Sequence, residues 1–279
     1  MGFKNFLKLI LVKQTLFALP FAFLGVAFGG GGGPKTWILT AAALAAARSA
    51  GMCFNMALDH RIDAKNPRTK DRLIPRGEVA PRQAWVWAWL SCLALIGSAF
   101  FLNRLCFYLS FPAVFGLFTY SFFKRFSASS HFYLGLVEAA APIGGYLAAA
   151  GSFSAVPFAL GVVIMAWIAG LDIVYALQDM EFDRKEKLHS VPAALGRKKA
   201  LLVSALCHLV SLSAIVFAGV HTGRGAPYWI GALFVAAVFS RQQALAWRGH
   251  DAAQIQKIFA VNMYIAPALF LGAFIDILI

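Results

Sequence analysis

The sequence predicts an all-α membrane protein, a polytopic bundle of nine transmembrane helices arranged as two four-helix pseudo-repeats plus a ninth helix, with a cytoplasmic N-terminus. Three observations carry this expectation. Of 279 residues, 60% are hydrophobic and 13% are charged, so a water-soluble fold would have to expose far too much apolar surface. Apolar stretches recur at roughly the 20 residues that a helix needs to cross a bilayer core. The basic residues fall almost entirely on alternate connecting segments.

In chain order the stretches lie near residues 12 to 30, 36 to 58, 84 to 102, 105 to 123, 132 to 150, 155 to 178, 200 to 220, 226 to 245 and 257 to 278. The first follows a lysine-bearing start that loosely mimics a leader. Lys13 interrupts it and further spans follow, so an uncleaved helix is expected. Gly29 to Gly33, then Pro34, make a flexible turn into the second stretch. This glycine run follows a membrane helix, not a strand, and lacks the Lys-Ser/Thr of a phosphate loop. The second stretch ends in the polar residues Asn55 to Asp63 and opens onto a basic loop, Arg61 to Arg82. The fourth ends on Lys124 and Arg125, and the sixth runs into a second acidic segment, Asp172 to Asp183. Trp37, Trp85, Trp87, Trp89, Trp229 and Trp247 lie near span ends, where tryptophan anchors helices at the membrane interface. Cys53, Cys92, Cys106 and Cys207 sit singly in apolar runs without metal-ligand spacing and read as small core residues.

With the N-terminus inside, Lys35, Arg104 and Arg224 fall outside and Arg48 falls within a span, which leaves 21 of the 25 Lys and Arg on cytoplasmic segments or, for Lys13, Arg241 and Lys257, at the cytoplasmic ends of their stretches. The positive-inside rule then places the C-terminus outside. Much of the net charge of +13 is ordinary topology signalling. The part concentrated in the Arg61 to Arg82 loop and beside Asp183 also suits an anionic ligand. No soluble fold presents these cations, so nucleic acid is not an expected partner. One membrane domain over residues 1–279, in contact with lipid and without a soluble appendage, is expected.

Asn55, Asp59 and Asp63 stand at i, i+4 and i+8, which about 3.6 residues per turn stacks along one helix face. Tyr175, Asp179 and Asp183 repeat the spacing 120 residues later (179 − 59), with Asp172 one turn before them. The second and sixth stretches thus read as equivalent members of an internal repeat. Carboxylates at a membrane helix end are costly unless paired or bound to a cation, so their default reading is functional. Hard oxygen ligands from two helices suit Mg²⁺, which usually shares its shell with substrate phosphates, so a diphosphate ligand is implied. The bland alternative is that these aspartates are solvated or paired with Arg61, Arg184 and Lys185. Arg61, Arg68, Arg72 and Lys124-Arg125 are cations that could complete an anion site. Arg48 lies two turns before Asn55 on nearly the same face and needs an anionic partner, either a substrate carboxylate or Glu138 or Asp172.

At these residues the chain resembles the intramembrane UbiA-type prenyltransferases, which join a polyprenyl diphosphate to an aromatic acceptor. The resemblance rests on RSAGMCFNMALDHRIDAKNPRTKDRLIPRGEV (Arg48 to Val79), YSFFKR (Tyr120 to Arg125) and DIVYALQDMEFDRKEKLHSVPAALG (Asp172 to Gly196), within a helix layout that covers the whole chain. One departure is that Asn55 is followed by Met56, where many members carry Asn-Asp. The resemblance implies that Asn55, Asp59, Asp63, Asp179 and Asp183 are catalytic and bind Mg²⁺, and that Lys124, Arg68 and Arg72 contact the diphosphate. It further implies that Arg48 meets an acceptor carboxylate. Asp172 is a further candidate substrate-binding residue, and the Tyr175 ring could stabilise a carbocation, orient Asp179 or simply sit at the membrane interface.

The second motif is similar in spelling to a 4-hydroxybenzoate polyprenyltransferase-like branch, part of which serves menaquinone synthesis through 1,4-dihydroxy-6-naphthoate. The expected activity is therefore polyprenyl transfer to a hydroxylated aromatic acid in ubiquinone or menaquinone synthesis, at the inner membrane with the site facing the cytoplasm. Acceptor, prenyl length, proton acceptor and oligomeric state stay open. A secondary transporter is the competing class, since repeats and intramembrane charges also mark carriers. However, the acidic clusters lie at helix ends, and a four-helix repeat gives parallel halves, not inverted ones.

Overall fold

The computed structural model describes residues 3–10, 12–249 and 251–279. Among the described residues all regular structure is helical, as expected. The helices are α1 (Phe3–Leu9), α2 (Val12–Phe28), α3 (Pro34–Asp63), α4 (Pro81–Leu102), α5 (Arg104–Phe123), α6 (Ser130–Ala150), α7 (Ala155–Ala176), α8 (Met180–Lys185), α9 (Val191–His221), α10 (Ala226–Arg248), α11 (Ala252–Asn262) and α12 (Ile265–Leu278), with a 3₁₀ turn at Leu177–Asp179.

Each predicted apolar stretch falls on helix, because in lipid every backbone polar group must be satisfied within the segment. Among the described residues, seven helices are long and apolar enough to cross a membrane, and Ala18–Phe28 is a shorter apolar one. Large side chains such as Leu93, Phe115, Leu206 and Leu233 point outward, the inverse of a soluble surface. The chain is an integral membrane protein.

The eighth stretch is helical in α10 but more polar toward its end, where Ser240, Arg241, Gln242 and Gln243 follow one another. The Gln243 amide donates to Ser204 Oγ at 3.0 Å and bonds His208 Nδ1 at 3.0 Å. The ninth stretch is two helices. Pro267 cannot donate to the ladder and crowds the preceding turn, and α11 ends on Asn262, whose side chain accepts from Trp167 Nε1 at 2.9 Å.

The chain forms two compact units: residues 1–19 with 33–121, and residues 20–32 with 122–279. In the first, Pro34 opens α3, which continues unbroken for 30 residues through an alanine-rich middle. Small residues let α3 and α4 pack closely: Ala50, Cys53 and Ala57 share a core with Ala84, Ala88 and Cys92. Phe54 is fully buried among Trp85, Trp89 and Phe118, with ring centroids 5.6, 5.3 and 5.4 Å away. Trp85 and Trp89 therefore do more than anchor an interface. The loop after α3 folds back through successive turns, and its Ile74 and Val79 are buried in the same core.

In the second unit α7 is the most enclosed helix, and its core is shared with α9, α10, α11 and α12. Serine hydroxyls join helices here: Ser204 Oγ donates to the Gly170 carbonyl at 2.8 Å and Ser211 Oγ to the Val163 carbonyl at 2.9 Å. Such bonds stand in for hydrophobic association, which lipid does not drive. Gly25 and Gly145 face opposing backbone carbonyls so closely that a Cβ at either would collide. The four cysteines are free and buried, as read from the sequence.

Candidate active site

Each unit carries one acidic motif. In the first, α3 stays helical to Asp63, so the expected stacking occurs. Asn55 Nδ2 donates to Asp59 Oδ2 at 2.9 Å and to Ser121 Oγ of α5 at 3.3 Å. Asp59 is 1% exposed and Asp63 is 5% exposed, positions where a carboxylate requires partners. Asp63 Oδ2 accepts from Arg72 Nη1 at 2.8 Å. The Asp63 carbonyl accepts from Thr69 Oγ1 at 3.1 Å, and the Asn66 side chain accepts the Arg68 N–H at 2.9 Å. The loop is thus folded so that Arg72 returns to the carboxylate nine residues before it. Arg68 is exposed on the loop, and Arg48 is half-buried on α3, two turns before Asn55. The partner of Asp63 is Arg72 and not the neighbouring Arg61.

In the second unit the motif does not repeat the geometry of the first. After Ala176 the helix tightens into the 3₁₀ turn Leu177–Asp179 before α8. The Tyr175 carbonyl, which a continuing α-helix would offer to the Asp179 N–H, accepts the Gln178 side-chain amide at 3.0 Å. Asp179 and Asp183 are therefore half-buried on a turn and a short helix, where the spacing predicts one helix face.

Asp183 Oδ2 accepts from Ser190 Oγ at 2.7 Å, and Ser190 also caps α9 by accepting the Ala193 N–H at 3.3 Å. Asp179 repels Asp183, while Lys124 attracts it. The Lys124 carbonyl, just beyond α5, accepts the His189 N–H at 2.7 Å from the loop carrying Ser190. Arg184 turns away from Asp183, bonding Glu181 at 3.3 Å and donating to the Ala193 carbonyl at 3.1 Å. Tyr175 packs edge-on against Phe259 at 5.7 Å.

Asp172 is held by a residue the motif reading passes over. His131 Nδ1 lies 2.6 Å from Asp172 Oδ2, and the Val191 N–H donates to His131 Nε2 at 3.2 Å. Ser190 was likewise passed over, although its place before Val191-Pro192 is the signature of a helix cap. For His131 the available signal was a lone histidine at the start of an apolar stretch.

Among the described residues no group of three or more His, Cys, Asp or Glu side chains encloses a metal ion. Each unit instead presents a pair of carboxylates. That donor set fits Mg²⁺, whose remaining positions are taken by water and substrate phosphate.

The model of the UbiA prenyltransferase family matches residues 18–266. The 4-hydroxybenzoate octaprenyltransferase of Pectobacterium carotovorum subsp. carotovorum (strain PC1) is 31% identical over 268 residues, covering 95% of this chain and 90% of the relative. A UbiA homolog from Aeropyrum pernix K1, solved in its apo form, superposes with a TM-score of 0.88 at 31% identity, covering 95% of this chain and 98% of that one. A UbiA homolog from Archaeoglobus fulgidus bound to GPP and Mg²⁺ shares the fold at a TM-score of 0.74 and 16% identity, covering 99% of this chain and all (100%) of that one.

Proposed function

Because the chain belongs to the UbiA prenyltransferase family, we propose that it transfers a polyprenyl group from a polyprenyl diphosphate to a hydroxylated aromatic acid of the 4-hydroxybenzoate type, in respiratory quinone synthesis. The observation that carries this reading is the pair of acidic motifs, each at the polar end of a spanning helix and each offering two carboxylates.

Asn55, Asp59 and Asp63 of the first motif and Asp179 and Asp183 of the second would hold Mg²⁺ with the diphosphate. Such a metal would supply neutralisation of the charge that gathers on the leaving group. Lys124, Arg68 and Arg72 add positive charge on the same oxygens. Arg72 does so while its ion pair keeps Asp63 in place.

The allylic C–O bond breaks with its electron pair leaving on the diphosphate. Tyr175 presents its ring to the resulting carbocation, supported by Phe259. Arg48 holds the acceptor carboxylate and Asp172 orients the acceptor. The ring carbon ortho to the hydroxyl supplies the electrons of the new C–C bond and then loses its proton. Enclosure by helices keeps water from the cation.

The positive-inside bias supports an inner-membrane protein with this site toward the cytoplasm. GPP and Mg²⁺ in the Archaeoglobus neighbour support the choice of metal and of diphosphate. Motif spelling keeps 1,4-dihydroxy-6-naphthoate as the second acceptor. Purified protein supplied with geranyl diphosphate, Mg²⁺ and either acid is expected to give a prenylated product identifiable by mass. Turnover in detergent without any gradient also separates this enzyme from a carrier. Failure with both acids overturns the acceptor class.

A further inference from the structure

In the second unit, His131 is buried, with its side chain 4% exposed, whereas the Asp172 side chain is 31% exposed. Both ring nitrogens are engaged. The Val191 N–H donates to Nε2, a bond that needs the Nε2 lone pair, so the ring proton sits on Nδ1 and is donated to Asp172 Oδ2. His131 thereby does two things with one ring. It accepts one of the backbone N–H groups that the first turn of α9 leaves without a helical partner, and it fixes the carboxylate of Asp172 on α7.

The next residue on the α9 side is Ser190, whose hydroxyl donates to Asp183 at 2.7 Å. A hydrogen-bonded and covalent path thus runs from Asp172 through His131 and Val191–Ser190 to Asp183. Its ends are a carboxylate assigned to the acceptor and one assigned to the metal. An imidazole buried at both nitrogens is poorly placed to touch substrate, but well placed to set the direction of a neighbour that does.

We propose that His131 is a positioning residue for the acceptor: its Nδ1–H locks the Asp172 carboxylate in one orientation, and its Nε2 ties that orientation to the start of α9. The proposal rests on the functional reading above, in which Asp172 meets the aromatic acid.

Two variants divide the ring. In His131→Asn the side-chain amide reaches the Nδ1 position and can still donate to Asp172, while the Nε2 acceptor is lost. In His131→Gln the amide reaches the Nε2 position and the bond to Asp172 is lost. With geranyl diphosphate and 4-hydroxybenzoate in detergent, His131→Gln is expected to raise the acceptor KM about ten- to a hundredfold, the range seen when an outer partner of a site residue is removed. The KM for geranyl diphosphate should stay native. His131→Asn should restore most of the acceptor KM. The double variant His131→Gln/Asp172→Asn should be no worse than Asp172→Asn alone, since one acts through the other.

Equal impairment in His131→Asn and His131→Gln, or losses in both that follow their melting temperatures, overturns the positioning role. So does a double variant whose losses multiply. Native protein that prenylates neither 4-hydroxybenzoate nor 1,4-dihydroxy-6-naphthoate overturns the functional reading itself, and the acceptor-facing role with it. Native turnover with the wrong ranking of variants overturns the role of His131 alone.

Discussion

The two acidic motifs share their spacing, yet each unit holds its carboxylates differently. In the first unit Asp59 and Asp63 are buried on an unbroken helix, and a cation from the following loop, Arg72, meets Asp63 directly. In the second unit Asp179 and Asp183 are half-buried on a 3₁₀ turn and a short helix, and a hydroxyl, Ser190, meets Asp183. A sequence repeat therefore conserves the donor atoms and not the backbone that presents them. In the first half an ion pair holds one carboxylate, Asp63. In the second a turn and a helix cap hold Asp183 through a hydroxyl.

The largest expected effect removes one carboxylate charge from either half. Asp59→Asn and Asp179→Asn are each expected to lower kcat by about 100-fold or more, the loss typical of removing one electrostatic stabiliser of a transition state. Single-turnover prenylation measures it, and full activity in either variant breaks the equivalence of the halves. Next is Arg48→Ala, expected to raise the acceptor KM about tenfold or more, as for a lost bond to a charged group, with the diphosphate KM unchanged. An unchanged acceptor KM assigns Arg48 to structure.

The comparison sharpens with Arg72→Ala and Ser190→Ala, which free Asp63 and Asp183 respectively. Each should raise the Mg²⁺ concentration for half-maximal activity about tenfold. They should differ in stability: about 2 kcal/mol for the mostly buried ion pair and about 1 kcal/mol for the lost cap, measured by thermal melting. The smallest effect on chemistry is expected from Arg224→Ala. Arg224 pairs with Asp276 at 3.8 Å and covers the Phe28 ring at 4.2 Å, both within the second unit. Its loss should cost on the order of 3 kcal/mol of stability and leave turnover per folded molecule unchanged.

Helix positions were legible because lipid imposes both length and apolarity, and the first motif was legible because nothing interrupts α3. The 3₁₀ turn was not, since it arises where the Gln178 amide takes a carbonyl from the helix ladder, a competition that residue spacing does not encode. The split of the last span follows Pro267, which is visible in the sequence but was outweighed there by the apolar run around it. Arg72 could be named as a cation, but its pairing depends on turns at Asn66 and Thr69 that bring the loop back to Asp63. His131 was hidden because a single histidine carries no periodicity, and its meaning lies in partners 41 and 60 residues away.

The proposed function requires the carboxylates of both acidic motifs for binding of a diphosphate with Mg²⁺. Calorimetric titration of geranyl diphosphate into the detergent-solubilised protein, with and without Mg²⁺, tests it most directly. The account predicts binding that requires Mg²⁺ and is lost in both Asp59→Asn and Asp179→Asn. Binding of native strength in either variant, or binding indifferent to Mg²⁺, would contradict it.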